Sequence, residues 1–293
     1  PHPGALLRAK VDADTRSTVT QLQRFHTLTS GLWGQGEAGV EHRACYSFEE
    51  ADEWFARIER ELAEDGETRV AWDAEWQGQR PHSPGAYLRT VQISWREKRA
   101  LTFVLRRKGG TECFVDDQGE PAEARLFERL TAFGKKYGAI GHFLVADLEW
   151  LTYFGIDIAS SFDVVRDGPE PWRELQDGKG GWDTAMAAHA IEETAPLGLD
   201  SLVVRYTSAP RYDLPLEQWV QRYCHERNIK RSRLEGYGEC PDEILIGERQ
   251  PDGTYRHSYA GYDADCTFRI YKRQQALLTR DYFGLNSWQP FWE

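Results

Sequence analysis

The sequence predicts an α/β or α+β protein: a mixed sheet made of an antiparallel meander followed by parallel strands, flanked by helices, with a helical C-terminal part. Three observations predict it. Strand-like runs follow one another closely in TRVAWDAEW, YLRTVQISW and ALTFVLR, as a meander requires. Helix and strand then alternate from 121 to 155, the signature of a sheet covered by helices. Beyond 182 the apolar residues recur mainly at helical spacing.

Each element has its own signal. Residues 47–66 read as an amphipathic helix capped by Ser47, with Glu50 three residues on and Ala51, Trp54, Phe55, Ile58 and Leu62 on one face. QGQRPHSPG, with two prolines and two glycines, separates the first two strands. A helix over 121–138 has Pro at its start and Gly at its end. AIGHF is a fourth strand and VADLEWLTYFG a helix. WDTAMAAHAIEE, LDSLVVRYT, LPLEQWVQRYCHERN and 257–280 complete the helical part. Residues 1–43 lack a period and read as an N-terminal lead-in, with 44–293 as one domain. Long inserts are expected at about 163–181 and 207–256, including the irregular stretch 234–256, and loops of that length are usually functional or disordered.

Composition narrows the function classes. With 40% hydrophobic and 13% aromatic residues in 293, the chain is long enough and apolar enough for a sizeable core. No run reaches the ~18 apolar residues of a membrane span. The N-terminus shows no secretory signal, so a cytoplasmic location and no membrane partner are expected. Five widely spaced cysteines without a C-x-x-C pair argue against a disulfide framework or zinc ribbon. A net charge of −11 disfavours broad phosphate binding. One segment runs against it: RYCHERNIKRSR, 222–233, carries Arg222, Arg227, Lys230, Arg231 and Arg233 against Glu226 alone, either a groove for nucleic acid or a solvated helix end.

The chemistry concentrates in acids. In AWDAEWQG, Asp73 and Glu75 are two apart on a strand, so both point to the same side about 6–7 Å from each other. Converging carboxylates beside a core strand suit Mg²⁺ or Mn²⁺; the alternative is a solvated strand end. Asp147 falls in the first turns of the helix after the fourth strand, where the helix dipole alone favours an acid. Tyr259 and Asp263 are four apart and share a helix face, whereas Asp265 falls on a different one. Four acids carry the formal charge that balances two divalent ions, the arrangement that activates water against an anionic phosphodiester.

Asp73-Ala-Glu75, the GHFLVADLEWL segment with Asp147, and YAGYD at 259–263 resemble, in order and spacing, the three exonuclease motifs of the DEDDy branch of the DnaQ-like, or ribonuclease H-like, superfamily. The likeness is greatest to the proofreading 3′–5′ exonuclease domain of family A DNA polymerases, of bacterial and phage type. It runs from about residue 66 to 280 and includes WDTAMAAHAIEETAPLGLDSLVVRYT between the second and third motifs.

The resemblance implies a ribonuclease H-like fold and a two-metal 3′–5′ exonuclease acting on the 3′ end of single-stranded DNA. Asp73, Glu75 and Asp263 would hold one Mg²⁺ or Mn²⁺ ion, and Asp73 would bridge to a second. Asp147 would act partly through water, and Tyr259 would orient the attacking water. Glu75 would also touch the 3′ hydroxyl, while Trp76, His142, Phe143 and Leu151 would line the strand, with core packing the other reading for the three apolar ones. Phe143 departs from the family, where Asn is common. A polymerase would act in cis or in trans, because the chain stops at SWQPFWE, too soon for one. Two other readings stay open: a ribonuclease D-like RNA exonuclease, and a catalytically weak module that binds primer ends.

Overall fold

Alternation along one strand decides how the molecule is layered. The structure, a computed structural model, describes residues 37–159, 180–194 and 196–279. Strand β2 (Arg69–Gln77) sends Val70, Trp72 and Ala74 into the main core on one face. Its other face brings Ala71 against Phe268 and Tyr271 of the last helix. Both faces are therefore covered, so β2 reads as a continuous apolar run interrupted only by its acids.

The sheet has six strands: β1 (Glu41–Cys45), β2, β3 (Tyr87–Arg96), β4 (Arg99–Val104), β5 (Gly138–Gly141) and β6 (Trp182–Asp183), in the spatial order β1-β4-β3-β2-β5-β6. β2, β3 and β4 form the expected antiparallel meander. β5 runs parallel to β2, β6 parallel to β5, and β1 parallel to β4. Two of these strands were not expected. Residues 41–43 were assigned to a lead-in, yet they pair with Arg99–Leu101 as part of the edge strand; EHRAC has too little alternation for its local sequence to announce a strand. Trp182 and Asp183 were assigned to a helix, but they pair with Ile140 and Gly141, and the helix begins one residue later.

Helices α1 (Phe48–Asp65) and α2 (Glu123–Lys136) cover the first face. Ser47 caps α1 by accepting from the Glu50 N–H at 3.3 Å, while Glu50 accepts from the Tyr46 N–H at 3.4 Å, one residue earlier than a capping box predicts. Phe55, Ile58 and Leu62 of α1 meet Leu126, Leu130 and Phe133 of α2 in the core, each contributing about 1.5–3 kcal/mol through burial. α3 (Val145–Tyr153) follows β5, and α4 (Thr184–Ile191) and α5 (Leu199–Tyr206) follow β6.

The region 207–256 is ordered. α6 (Leu214–Glu226), α7 (Asp242–Leu245) and the hairpin β7 (Glu248–Arg249) and β8 (Tyr255–Arg256) pack Leu216, Trp219, Val220, Cys240, Leu245 and Ile246 onto Ala44 and Val104 at the sheet edge. Of the other expected insert, 163–179 lies outside the described residues. α8 (Tyr259–Thr279) crosses the second face and is buried almost all round between Ala260 and Tyr271, as an internal helix must be. Among the described residues the five cysteines are free, and no helix is long and apolar enough to cross a membrane.

Candidate metal centre

Because Ala71 faces α8, so do Asp73 and Glu75, two and four residues further along the same strand. Asp263 comes down from the first turns of α8 to meet them. Carboxylate oxygens of Asp73, Glu75 and Asp263 lie within 4.8 Å of one another. Glu75 and Asp263 are each 6% exposed, and Asp73 is half-buried. Asp147, in the first turn of α3 and also 6% exposed, accepts a hydrogen bond at 3.1 Å from the N–H of Ala74, the residue between the two strand acids.

Among the described residues no cation pairs with this cluster at contact distance. Burial pushes Asp73 well above the usual carboxylate range, and repulsion from Asp147, Glu75 and Asp263 adds to it; the hydrogen bond from Gln92 at 2.9 Å opposes it. Glu75 is raised for the same reasons, tempered by Arg89. Burial raises Asp147 to about 8 despite the Ala74 hydrogen bond. It raises Asp263 to about 7 against hydrogen bonds from Tyr212 and Tyr259. The donor set is all hard oxygen, with no thiolate or imidazole among the clustered ligands, and its buried negative charge needs cations. It fits Mg²⁺ or Mn²⁺.

Tyr259 opens α8 and donates to Asp263 four residues on. Two further tyrosines that sequence reasoning did not find surround the same acid. Tyr212 donates to Asp263 Oδ1 at 2.6 Å, and its ring stacks on Tyr262 at 4.9 Å. Tyr237 stands edge-on to Tyr259 at 6.3 Å. Burial raises Tyr212 and Tyr259 well above their ordinary value, so both phenols keep their protons. Neither Tyr212 nor Tyr237 falls in a periodic pattern pointing at Asp263, and only the path of 207–240 brings them there.

Gln92 and Arg89 were missed as well. Gln92 lies directly opposite Asp73 in the β2–β3 register. Its signal was readable, because Thr90, Gln92 and Ser94 make a polar stripe on the α8 side of an otherwise apolar strand. Arg89 is the residue skipped where Glu75 pairs with Thr90 but Trp76 pairs with Leu88, a β-bulge next to the cluster. Its guanidinium is fully buried and joins the Tyr237 carbonyl and the Asp242 carboxylate.

The residues expected to line a strand differ among themselves. Trp76 is half-buried and stacks on Trp150 with centroids 4.9 Å apart. Phe143 is 45% exposed and has φ +50°, a left-handed conformation costing roughly 1 kcal/mol for a non-glycine residue. The Asn usual at this position in the resembled family tolerates such a backbone better than Phe does. The turn is held from outside by Asp183, whose carboxylate accepts from the Leu144 N–H at 3.0 Å while capping α4. One expectation needs correction. Leu151 is fully buried in the main core and has no surface to offer a base. The His142 Nδ1 pairs with Thr184 Oγ1 at 2.9 Å, and burial lowers its pKa to about 4, so it presents no charge to a phosphate.

No family model matches this chain, and no curated protein sequence does. Among solved structures it is similar to the catalytic core of RRP6 from Trypanosoma brucei, at 16% identity and a TM-score of 0.44 over 82% of this chain and 48% of that one. It is similar to Brucella melitensis NrnC bound to pGG at 16% identity and a TM-score of 0.40, over 83% and 84% of the two chains. The EXO domain of Aedes aegypti Nibbler gives 13% identity and a TM-score of 0.42 over 85% and 94%. At this level the function rests on the geometry of the site itself.

Proposed function

We propose that this chain is a metal-dependent 3′–5′ exonuclease of the DEDDy type that removes nucleotides from the 3′ end of single-stranded DNA. The observation that carries the reading is the convergence of Asp73, Glu75 and Asp263 from a strand and a helix far apart in the chain to within 4.8 Å. Asp147 stands beside them on the Ala74 N–H. Asp73, Glu75 and Asp263 would hold a divalent ion, with Asp147 beside them available to a second. When bound, the two ions supply charge neutralisation at the scissile phosphate and activation of the attacking water.

The chain's own groups do the rest. Tyr259 keeps its proton and orients the water by hydrogen bonding beside Asp263. Tyr212 and Gln92 fix the rotamers of Asp263 and Asp73. Glu75 would accept from the terminal 3′ hydroxyl. Phe143 and Val145, 45% and 78% exposed within a few residues of Asp147, give an apolar surface on which terminal bases stack. In a proofreading role the partner is a polymerase acting on the same 3′ end, in cis or in trans.

The test is degradation of matched DNA and RNA oligonucleotides, labelled at either end, with Mg²⁺ or Mn²⁺. The reading expects stepwise shortening of the 5′-labelled DNA strand and immediate release of label from the 3′-labelled one. Faster loss of RNA moves the assignment to a ribonuclease D-like enzyme. Retardation of an intact strand on a gel identifies a binding module instead.

A further inference from the structure

In a molecule of net charge −11, most described arginines are matched to acids. Arg57, Arg89, Arg96, Arg99, Arg106, Arg129 and Arg211 each meet a carboxylate. The segment from the end of α6 to Arg233 breaks this rule. Arg222, Arg227, Lys230, Arg231 and Arg233 are all exposed, and among the described residues none of them reaches an acidic partner. The Arg227 guanidinium lies over the ring of Tyr223 at 3.8 Å. Five unmatched cations close together repel one another, a cost that a bound polyanion relieves.

Their location gives the arrangement a direction. Arg231 lines a cavity of about 420 Å³ whose wall also holds Tyr212, Tyr237, Tyr259 and Asp263 of the acidic cluster. Arg211 lines it too, but is neutralised by Asp213 and Glu217. Lys230 and Arg233, on either side of Arg231, line a second recess of about 390 Å³ with His225 and Asn228. Asn228, at φ +51°, makes the left-handed turn that ends α6 and folds the basic segment back toward the first cavity. The two recesses thus meet at one ridge, Lys230–Arg231.

We infer that this ridge is a track for the phosphodiester backbone of single-stranded DNA, carrying the substrate upstream of its 3′ end out of the acidic cluster, past Arg231 and into the recess lined by Lys230 and Arg233. The inference rests on the exonuclease reading for the direction of the strand. Cations that contact phosphates carry no base preference, so such a track binds single strands irrespective of sequence.

The test is binding of an oligothymidylate of about 20 nucleotides by fluorescence anisotropy, without divalent metal, over a salt series. The triple variant Lys230→Gln, Arg231→Gln, Arg233→Gln should bind about ten-fold or more weakly near physiological salt, and its log–log salt slope should be shallower by about 2, the value for three lost phosphate contacts. The variant Arg231→Lys, Arg233→Lys keeps the charge and should bind as the wild type does, which separates charge from folding. A control pair on the other side of the sheet, Lys135→Gln and Lys136→Gln in α2, should leave the slope unchanged. An unaltered slope in the triple variant, or an equal loss in the control pair, overturns the track. If the wild type binds with the expected slope yet degrades nothing in Mn²⁺, the nuclease reading fails while the basic surface stands.

Discussion

Two buried acids on α8, Asp263 and Asp265, are two residues apart and in opposite situations. Asp265 is fully buried, but His42 Nε2 lies 3.0 Å from it, the Lys98 N–H donates at 2.7 Å, and Arg269 pairs with it one turn along the helix. Burial alone would raise its pKa; these partners more than offset that and lower it. Arg269 is balanced in turn by Glu37 at 2.7 Å. Asp263, among the described residues, has only phenol donors, faces Asp73 and Glu75, and is raised to about 7. The fold satisfies one acid internally and leaves the other without a charged partner among the described residues. A buried charge kept unmatched, beside one that is fully matched, marks where the chain acts rather than where it is held together.

The contrast between the two acids is largest at the cluster. Asp73→Ala should abolish metal-dependent cleavage, by at least about 10³-fold, while the melting temperature stays level or rises, because one of several repelling carboxylates is gone. Full activity after this change, measured on labelled oligonucleotides, would overturn the site. Asp265→Ala should do the reverse and cost about 3 kcal/mol or more in urea denaturation, since it strands His42 and Arg269 in the interior. Mn²⁺ at about a hundred times its dissociation constant should stabilise the wild type by roughly 2.7 kcal/mol and Asp263→Asn by clearly less. Tyr212→Phe removes only the hydrogen bond that orients Asp263. Metal affinity should weaken by about ten-fold, as for other groups that support a ligand, with stability little altered.

The smallest effect sharpens the contrast through pH. In chelator, Asp147 and Asp263 hold protons in the folded protein up to about 8 and about 7, well above their ordinary value. The folded state then binds more protons than the unfolded one, so stability is fullest near pH 4 and is lost as pH rises through 7 to 8. Asp265, with a lowered pKa, acts in the opposite sense: its contribution is present above the ordinary carboxylate value and is lost on acidification. Melting curves in chelator should fall from about pH 4 to about pH 8 and level off above it, and saturating Mn²⁺ should flatten that fall. An apo protein whose melting temperature rises over this range would contradict the raised carboxylates.

Some of this was legible locally. The period of two in RVAWDAEW fixes that Asp73 and Glu75 share a face, and the spacing of four in Tyr259-Ala-Gly-Tyr-Asp263 fixes that the tyrosine accompanies the acid. The meander and long helices follow from patterns contained within each segment. Edge strand β1 and two-residue β6 were not legible, because such short strands exist only through the neighbours that accept their hydrogen bonds.

What the sequence determined by itself is thus a set of elements and the relative direction of side chains within each, since dihedral preferences and periodicity act over a few residues. What only the tertiary structure decided is which faces meet. It brought Asp263, the acid already singled out by its spacing from Tyr259, to within reach of Asp73 and Glu75, drew Tyr212 and Tyr237 to that acid, sent Leu151 into the core, and set Arg231 in the wall of the cavity that Asp263 lines. These pairings are made by contacts between residues far apart in the chain, and burial, charge balance and hydrogen-bond satisfaction select among them only once the whole sheet and α8 have packed.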